Sequence, residues 1–168
     1  MEKDYLQLVK AQYEYSREDA TRLFETLLEI ARAIGWNATL NLLETCVIER
    51  RMAWLDRHED ALERTDSPVA DGYKLFYEEY LGLALPRDGE LVEENAHCIR
   101  VRWQNRCPTL EACQKLGLDT REVCGKAYDR PVQMMLARIN PRLRFRRNYA
   151  ALRPELPYCE ESIELDSE

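Results

Sequence analysis

The chain has 168 residues, of which 45% are hydrophobic and 33% are charged, and its formal net charge is -7. This composition is typical of an ordinary globular protein and excludes a disordered or membrane-embedded chain. A chain of this length fits one domain, which can bury roughly 70% of the surface that the unfolded chain exposes. We therefore predict a single domain over residues 1–168, with a helical half at 1–86 and a cysteine-containing α+β half at 87–168.

The charge and the hydropathy pattern also limit the partners. Nucleic-acid binders build their phosphate affinity from clustered Lys and Arg, so the acidic balance argues against nucleic acid. No apolar run approaches the roughly 20 residues that cross a bilayer, and the first four residues do not begin a signal peptide. We predict a cytoplasmic protein without membrane contact whose partner is a small-molecule ligand or substrate. The sequence indicates no particular cofactor.

Helical periodicity dominates the first half of the chain. Apolar residues recur at three- and four-residue steps over residues 3–13 and again over residues 20–34, where Gly35 ends the pattern. Asn37 is a suitable N-cap for a third helix that runs to about residue 63. We expect three amphipathic helices here.

Some side chains of these helices could line a pocket instead of the core or the surface. Arg50 and Arg51 of the third helix are interpreted as facing solvent, with a pocket as the alternative. Ser67 and Pro68 are typical of a helix start, and Pro86 ends this fourth helix. Its aromatic stripe is interpreted as core, and its members could instead line a cavity: Tyr73, Phe76, Tyr77 and Tyr80.

The second half alternates between strand and helix patterns. Period-two alternation predicts strands at 90–93, 97–104, 142–146 and 158–165, and helix signals predict short helices at 108–117, 119–124 and 129–139. We predict an α+β fold in which N-terminal helices pack on a small antiparallel sheet of three or four strands, with short helices inserted between strands. In such a sheet, the arginines around Phe145 would face the glutamates of the last strand.

Five of the six cysteines lie between residues 98 and 159. No two of them are separated by two residues, so the zinc-knuckle signature is absent and we predict no metal site. A metal site would need ligands from distant elements, for instance His97, Cys107, Cys124 and Cys159. Reduced, buried thiols are the plain alternative. The hypothesis that gives these cysteines chemistry is that they converge on one hollow between the sheet and its covering helices.

A few titratable residues were considered as acids or bases. Strict alternation places Glu161 on the same strand face as Ile163, where partial burial could raise its pKa enough for acid–base work. His97 is the histidine nearest to the cysteines, and His58 is interpreted as solvated. Asp129 begins a helix, which favours a capping role over a catalytic one.

Several of these residues together resemble a known family. Cys107-Pro108, Glu111, the Leu-Gly-Leu run at 116–118, Cys124, Asn140-Pro141 and the terminal Tyr158-Cys159 look like the C-terminal half of the L-2-amino-thiazoline-4-carboxylic acid hydrolase family and its uncharacterised relatives. The match covers roughly residues 95–165. The resemblance implies hydrolysis of a cyclic amidine-like carbon–nitrogen bond, which opens a thiazoline ring to a carbamoyl-cysteine.

The same resemblance implies roles for particular side chains. Such a reaction needs an attacking water or thiolate, an acid for the departing nitrogen and a cation for the substrate carboxylate. The positions that match the family's cysteines are Cys107, Cys124 and Cys159. Glu111 or Asp129 would supply the acid. Arg100 or Arg102 would hold the carboxylate.

Three hypotheses for function remain open at this point. The first is a hydrolase of the type just described. The second is a non-catalytic or sensory domain that binds a small molecule in the same cavity, with the cysteines as packing residues. The third is an interaction protein that dimerises through exposed helical stripes. Fold-level analogy alone does not choose among them.

Overall fold

The computed structural model describes residues 4–167, and within them the chain forms seven α-helices, a π-helix, a 3-10 turn and four strands. The predicted α+β class is confirmed. No helix among these residues combines the length and the apolarity that crossing a membrane requires. The elements are α1 Tyr5–Glu14, α2 Thr21–Ile34, α3 Trp36–His58, the 3-10 turn Glu59–Ala61, α4 Pro68–Tyr73, the π-helix Lys74–Tyr80, β1 Gly89–Glu94, β2 Cys98–Trp103, α5 Pro108–Leu116, α6 Thr120–Ala127, α7 Asp129–Ile139, β3 Leu143–Arg147 and β4 Cys159–Leu165.

The chain divides into two compact units. The helical unit consists of Met1–Arg50 and Arg106–Arg130, and the sheet unit consists of Arg51–Asn105 and Pro131–Glu168. Each unit therefore combines segments from both halves that the sequence suggested. A single domain over the whole chain stays a prediction.

The helical unit is built around α2, against which both α1 and α5 pack. The 3.6-residue period of α2 places four large apolar side chains on one face, and all four are buried. Burying a side chain of this kind stabilises the fold by about 1.5–3 kcal/mol. Gly35 ends α2 with a φ of 86°, as its position in the sequence predicted. The four side chains are Leu23, Phe24, Leu27 and Ile30.

Helix ends in this unit differ from the predictions by a few residues. The first helix begins at Tyr5, and Lys3 of the predicted range lies outside the described residues. The third helix begins at Trp36, so Asn37 lies in its first turn and does not cap it. This helix ends at His58, earlier than residue 63. Helix termini depend on local hydrogen bonds that periodicity alone does not define.

The sheet unit contains one antiparallel sheet with the strand order β1-β2-β4-β3. Ile163 of β4 lies between Ile99 of β2 and Phe145 of β3, so the three side chains share one face. This inner face carries the apolar core that alternation predicted, including Val101 and Trp103. A bulge between Leu91 and Glu93 shifts the register of the edge strand β1.

The outer face of the sheet carries ion pairs between neighbouring strands. Arg102 Nε lies 2.9 Å from a Glu160 carboxylate oxygen, and Arg146 Nε lies 2.9 Å from one of Glu164. The expectation that arginines of the strand around Phe145 face glutamates of the last strand is thereby confirmed. Because these pairs are partly exposed, each contributes less than about 1 kcal/mol and serves mainly to favour the observed register.

The helix after Ser67 departs most from its prediction. The Ser67 hydroxyl accepts a hydrogen bond from the Ala70 N–H at 3.2 Å, which confirms the predicted cap. The prediction of one helix that continues to Pro86 is wrong, because α4 ends at Tyr73 and a π-helix follows. Gly72 explains how closely α4 approaches the sheet: a Cβ at this position would lie 3.0 Å from Leu143 Cδ1. A larger residue would push the helix away from the sheet.

Candidate functional site

Two of the three predicted catalytic cysteines belong to the helical unit. Cys107 caps α5, and its Sγ accepts a hydrogen bond from the Leu110 N–H at 3.4 Å. Cys124 lies within α6 and is partly buried. Their neighbour Cys113 is fully buried, and burial raises its pKa to about 12. Cys113 therefore stays a protonated packing residue at neutral pH.

The third predicted cysteine belongs to the sheet unit. Cys159 begins β4, opposite Trp103 of β2, and is partly buried. The Arg153 Nε–H donates a hydrogen bond to Cys159 Sγ at 3.2 Å, and Arg153 Nη1 donates to the Asn105 carbonyl oxygen at 2.6 Å. These two hydrogen bonds fix the Arg153 guanidinium between Cys159 and the Asn105 carbonyl group.

The cysteines form no cluster in the described part of the chain. No three His, Cys, Asp or Glu side chains among residues 4–167 are grouped so that they could hold a metal ion. The expectation of a cysteine cluster is therefore wrong. The alternative set of metal ligands considered from the sequence is not assembled either: His97, Cys107, Cys124 and Cys159.

The predicted acids lie in the helical unit. Glu111 is an exposed residue in the first turn of α5, and its carboxylate accepts hydrogen bonds from Nε and Nη2 of Arg106, each at 3.0 Å. Asp129 is the first residue of α7. The geometry gives Glu111 a surface ion pair, and a role for either residue as an acid stays a prediction.

The two arginines predicted to hold a substrate carboxylate already have carboxylate partners on the outer face of the sheet. Arg100 Nη1 lies 3.0 Å from Glu93, and Arg102 Nε donates to Glu160 at 2.9 Å. Hydrogen bonds from Asn148 and Arg102 lower the pKa of Glu160, which keeps this carboxylate ionised. Binding of a substrate by either arginine stays a prediction, and it would have to compete with these partners.

A buried polar network lies on the inner face of the sheet. The Tyr77 hydroxyl donates to Glu161 Oε2 at 2.8 Å, and Arg147 Nε donates to Glu161 Oε1 at 3.1 Å. The side chains of Arg147 and Glu161 are only 9% and 10% exposed. Burial, followed by the negative charge of Glu161, raises the pKa of Tyr77 well above its ordinary value. Sequence alternation anticipated the burial of Glu161 but not its two partners.

Arg51 is the feature that the sequence analysis interpreted wrongly. Its side chain is buried, with 6% of its surface exposed, and it does not face solvent. Its guanidinium carbon lies 5.3 Å from the ring centre of Phe76 and 5.4 Å from that of Tyr80. The signal that could have identified it is spacing: Arg51 lies four residues before the buried Leu55 and thus shares its helix face.

A cavity of about 290 Å³ opens in the sheet unit beside α3. Trp54 and His58, one turn apart on this helix, form one wall, and their rings stack with centres 4.4 Å apart. Apolar side chains and charged side chains contribute the remaining surface. We call it the Trp54 cavity, and its lining residues are Trp54, His58, Ala61, Leu62, Glu63, Asp71, Lys74, Leu75, Glu79 and Ile139.

Comparison with known proteins assigns this chain to no family. No protein-family model matches the chain, and no curated protein matches it. Among solved structures, a crystal structure of a mutant H-NOX protein from S. oneidensis in the Fe(II) ligation state is similar to 87% of this chain and 73% of its own chain. The sequence identity is 14% and the TM-score is 0.45. Similarity this distant supports no conclusion about activity or ligand.

Proposed function

We propose that the protein is a small-molecule-binding or sensory domain whose ligand is a small, planar, positively charged compound bound in the Trp54 cavity. The observation that supports this proposal is the composition of the cavity, in which an aromatic wall lies beside an excess of carboxylates. Ligand sites in proteins typically combine an apolar or aromatic surface with a few polar groups that fix orientation. The Trp54 cavity has both components.

The volume of the cavity limits the size of the ligand. Pockets for drug-sized molecules span roughly 300–1,000 Å³. At about 290 Å³, the Trp54 cavity lies at the lower end of this range. A compound with one ring fits the available space, and a dinucleotide or a porphyrin does not.

The stacked wall favours a flat and cationic compound. The Trp54 and His58 rings are nearly parallel, with an interplanar angle of 13° and centres 4.4 Å apart, so each covers one face of the other and a flat ligand can extend the stack from an outer face. A cation over the face of Trp is attracted by the ring quadrupole, and Trp is the most effective of the aromatic residues in this respect. His58 is held in place by a 2.7 Å contact between its Nδ1 and the Trp54 carbonyl oxygen.

The charges around the cavity also favour a cationic ligand. Three carboxylates, those of Glu63, Asp71 and Glu79, contribute to the lining against the single ammonium group of Lys74. Asp71 is already engaged, because its carboxylate accepts hydrogen bonds from the backbone N–H and the hydroxyl of Thr65. Lys74 lies 3.9 Å from Glu63, at the outer limit of an ion pair. Glu79 is therefore the carboxylate best placed to pair with a ligand cation.

Benzamidine, a planar aromatic cation, tests the proposal. We expect it to bind the full-length protein with perturbation of Trp54 and His58 signals in NMR spectra, and we expect Glu79→Gln to weaken binding several-fold, about the 1 kcal/mol of a partly exposed ion pair. Glu78→Gln is the matched control, because Glu78 is equally exposed and does not line the cavity. Absence of binding, or equal weakening by both variants, would refute the proposal.

A hydrolase of the family resembled in the sequence is a second candidate. The contact between Arg153 Nε and Cys159 Sγ favours it, since this contact holds a nucleophilic side chain in a fixed position, as attack on an amidine carbon requires. In this scheme, attack by sulfur breaks the ring carbon–nitrogen bond, the nitrogen leaves with a proton, and water then releases the carbamoyl product and restores the thiol.

Thiol alkylation separates the two candidates. If the hydrolase candidate holds, Cys159 reacts with iodoacetamide faster than the other cysteines at neutral pH, and Cys159→Ala abolishes ring opening of 2-amino-thiazoline-4-carboxylate. Cys124→Ala provides the control, since Cys124 is also partly buried. If Cys159 reacts no faster than Cys124 and no ring opening occurs, the hydrolase candidate fails and the binding proposal is unaffected.

A further inference from the structure

Arg51 is a buried cation that lacks a counter-charge. Its Nε and Nη1 atoms are both inaccessible to solvent and have no hydrogen-bond partner among the residues that the structure describes. Its guanidinium carbon lies 5.3 Å from the ring centre of Phe76 and 5.4 Å from that of Tyr80. Buried polar groups in folded proteins are nearly always hydrogen-bonded, so two such atoms on one charged side chain require an explanation.

The aromatic rings compensate the buried charge only in part. Attraction between a guanidinium and a ring face is smaller than the cost of removing a cation from water, even when the cation is desolvated. A buried charge is normally paired with an opposite charge. The environment of Arg51 therefore suits an anion that the protein binds from outside.

The Trp54 cavity lies close to this guanidinium. Trp54 follows Arg51 by one turn of α3, and the Tyr80 ring packs edge-on against Trp54 with ring centres 5.2 Å apart. Tyr80 thus contacts both the cavity wall and Arg51. Leu75 of the cavity lining directly precedes Phe76, the other ring beside the guanidinium. The Tyr80 ring therefore links Trp54 of the cavity lining to the Arg51 guanidinium.

We infer that Arg51 binds an anionic group, of the size of a carboxylate, on the ligand of the Trp54 cavity. This inference rests on the proposed function and extends it, because it makes the ligand a compound that carries both charges. The two unpaired nitrogens lie on different edges of the planar guanidinium, and either edge can hold a carboxylate in a forked hydrogen bond. Tyr80, which is partly exposed at the end of the π-helix, moves aside to admit the group.

The test compares benzamidine with 3- and 4-amidinobenzoate, which add a carboxylate to the same cationic ring. In the wild-type protein we expect at least one amidinobenzoate to bind about tenfold or more tightly than benzamidine, as for a charge-assisted hydrogen bond. Arg51→Met should reduce this ratio to about one. Arg51→Lys keeps the positive charge but cannot form the forked hydrogen bond. It should therefore retain part of the preference for the amidinobenzoate over benzamidine.

Arg50→Met is the matched control, because Arg50 is the neighbouring arginine and already pairs with Glu14 at 2.9 Å. Arg50→Met should keep the full preference of the wild type for the amidinobenzoate over benzamidine. Equal binding of all three probes to the wild type, or a ratio that survives Arg51→Met, would overturn the inference while the cavity proposal stands.

If benzamidine does not bind, the cavity proposal fails, and benzoate alone then tests Arg51. Benzoate should raise the melting temperature of the wild type and of Arg50→Met above that of Arg51→Met, measured against sodium chloride at equal ionic strength. An equal response of all three proteins would overturn the role of Arg51.

Discussion

The cores of the two units differ in what they bury. In the helical unit the buried polar side chains are threonines, and one of them, Thr39, donates its hydroxyl proton to the Gly35 carbonyl oxygen at 2.8 Å. The sheet unit buries the charged residues Arg51 and Asp71 and the network centred on Glu161. Burying charge is costly unless each group is paired. The helical core is therefore explained by packing alone, whereas the sheet unit carries charges that packing does not require.

The largest expected effect comes from breaking the buried network. Glu161→Ala removes the acceptor of the fully buried Tyr77 hydroxyl and the carboxylate beside Arg147. We expect a loss of about 3–5 kcal/mol in the free energy of unfolding, since removal of one partner of a buried ion pair is strongly destabilising. Urea denaturation at neutral pH measures it.

Arg146→Ala is the control for this loss. It removes an ion pair with Glu164 on the outer face of the same sheet, where the Arg146 side chain is 64% exposed. We expect less than about 1 kcal/mol. Similar losses for both variants would mean that burial does not distinguish the network from the surface pairs.

An intermediate effect is expected where α4 approaches the sheet. The new methyl group of Gly72→Ala would lie 3.0 Å from Leu143 Cδ1 and 3.1 Å from Leu136 Cδ2. Overpacking costs about 1–3 kcal/mol, and the helix propensity of Ala returns up to about 1 kcal/mol. We expect a net loss of about 1–2 kcal/mol by thermal or urea unfolding.

Gly117 of the helical unit requires glycine for a different reason than Gly72 does. It adopts a φ of 68° with no atom near its missing Cβ, so its requirement is conformational and not steric. Gly117→Asn should be nearly neutral because Asn tolerates the left-handed region. Gly72→Asn should destabilise more than Gly72→Ala, and the reverse order would contradict the steric account.

The last expected effect is confined to alkaline solution and is absent at neutral pH, and it comes from the helical core. Burial raises the pKa of Cys113 to about 12, above the ordinary value of 9.0. The folded protein therefore keeps this proton while the unfolded chain loses it, so stability is complete below pH 9 and falls between pH 9 and about 12. Cys113→Ala should flatten this decline by up to about 1.4 kcal/mol per pH unit. An unaltered slope in Cys113→Ala, measured by urea denaturation at several pH values, would contradict the assignment.

The sequence was sufficient to predict the fold because its signals are local. Alternation over the last strand placed Ile163 and its neighbours on the inner face, and Ser67-Pro68 identified a helix start. The π-helix at 74–80 was missed, because the same residues also satisfy an α-helical period and only tertiary packing decides between the two.

The site could be predicted only in part. The separation of two cysteines along the sequence does not determine whether they are close in the folded protein. The described residues contain no cluster of cysteines. Arg51 was interpreted as exposed because arginines rarely enter cores, and its burial depends on the rings of Phe76 and Tyr80 that pack over it. Glu161 was recognised because alternation alone determines its face.

The π-helix also identifies where the chain tolerates a change of length. Each of its hydrogen bonds encloses one residue more than the corresponding bond of an α-helix, so deletion of one residue within 74–80 lets the segment continue as an α-helix. The strands that follow would be preserved. A deletion between Phe76 and Tyr80 would shorten the interval that now places both rings beside Arg51, so such a variant would alter the environment of the buried guanidinium while the sheet keeps its strands.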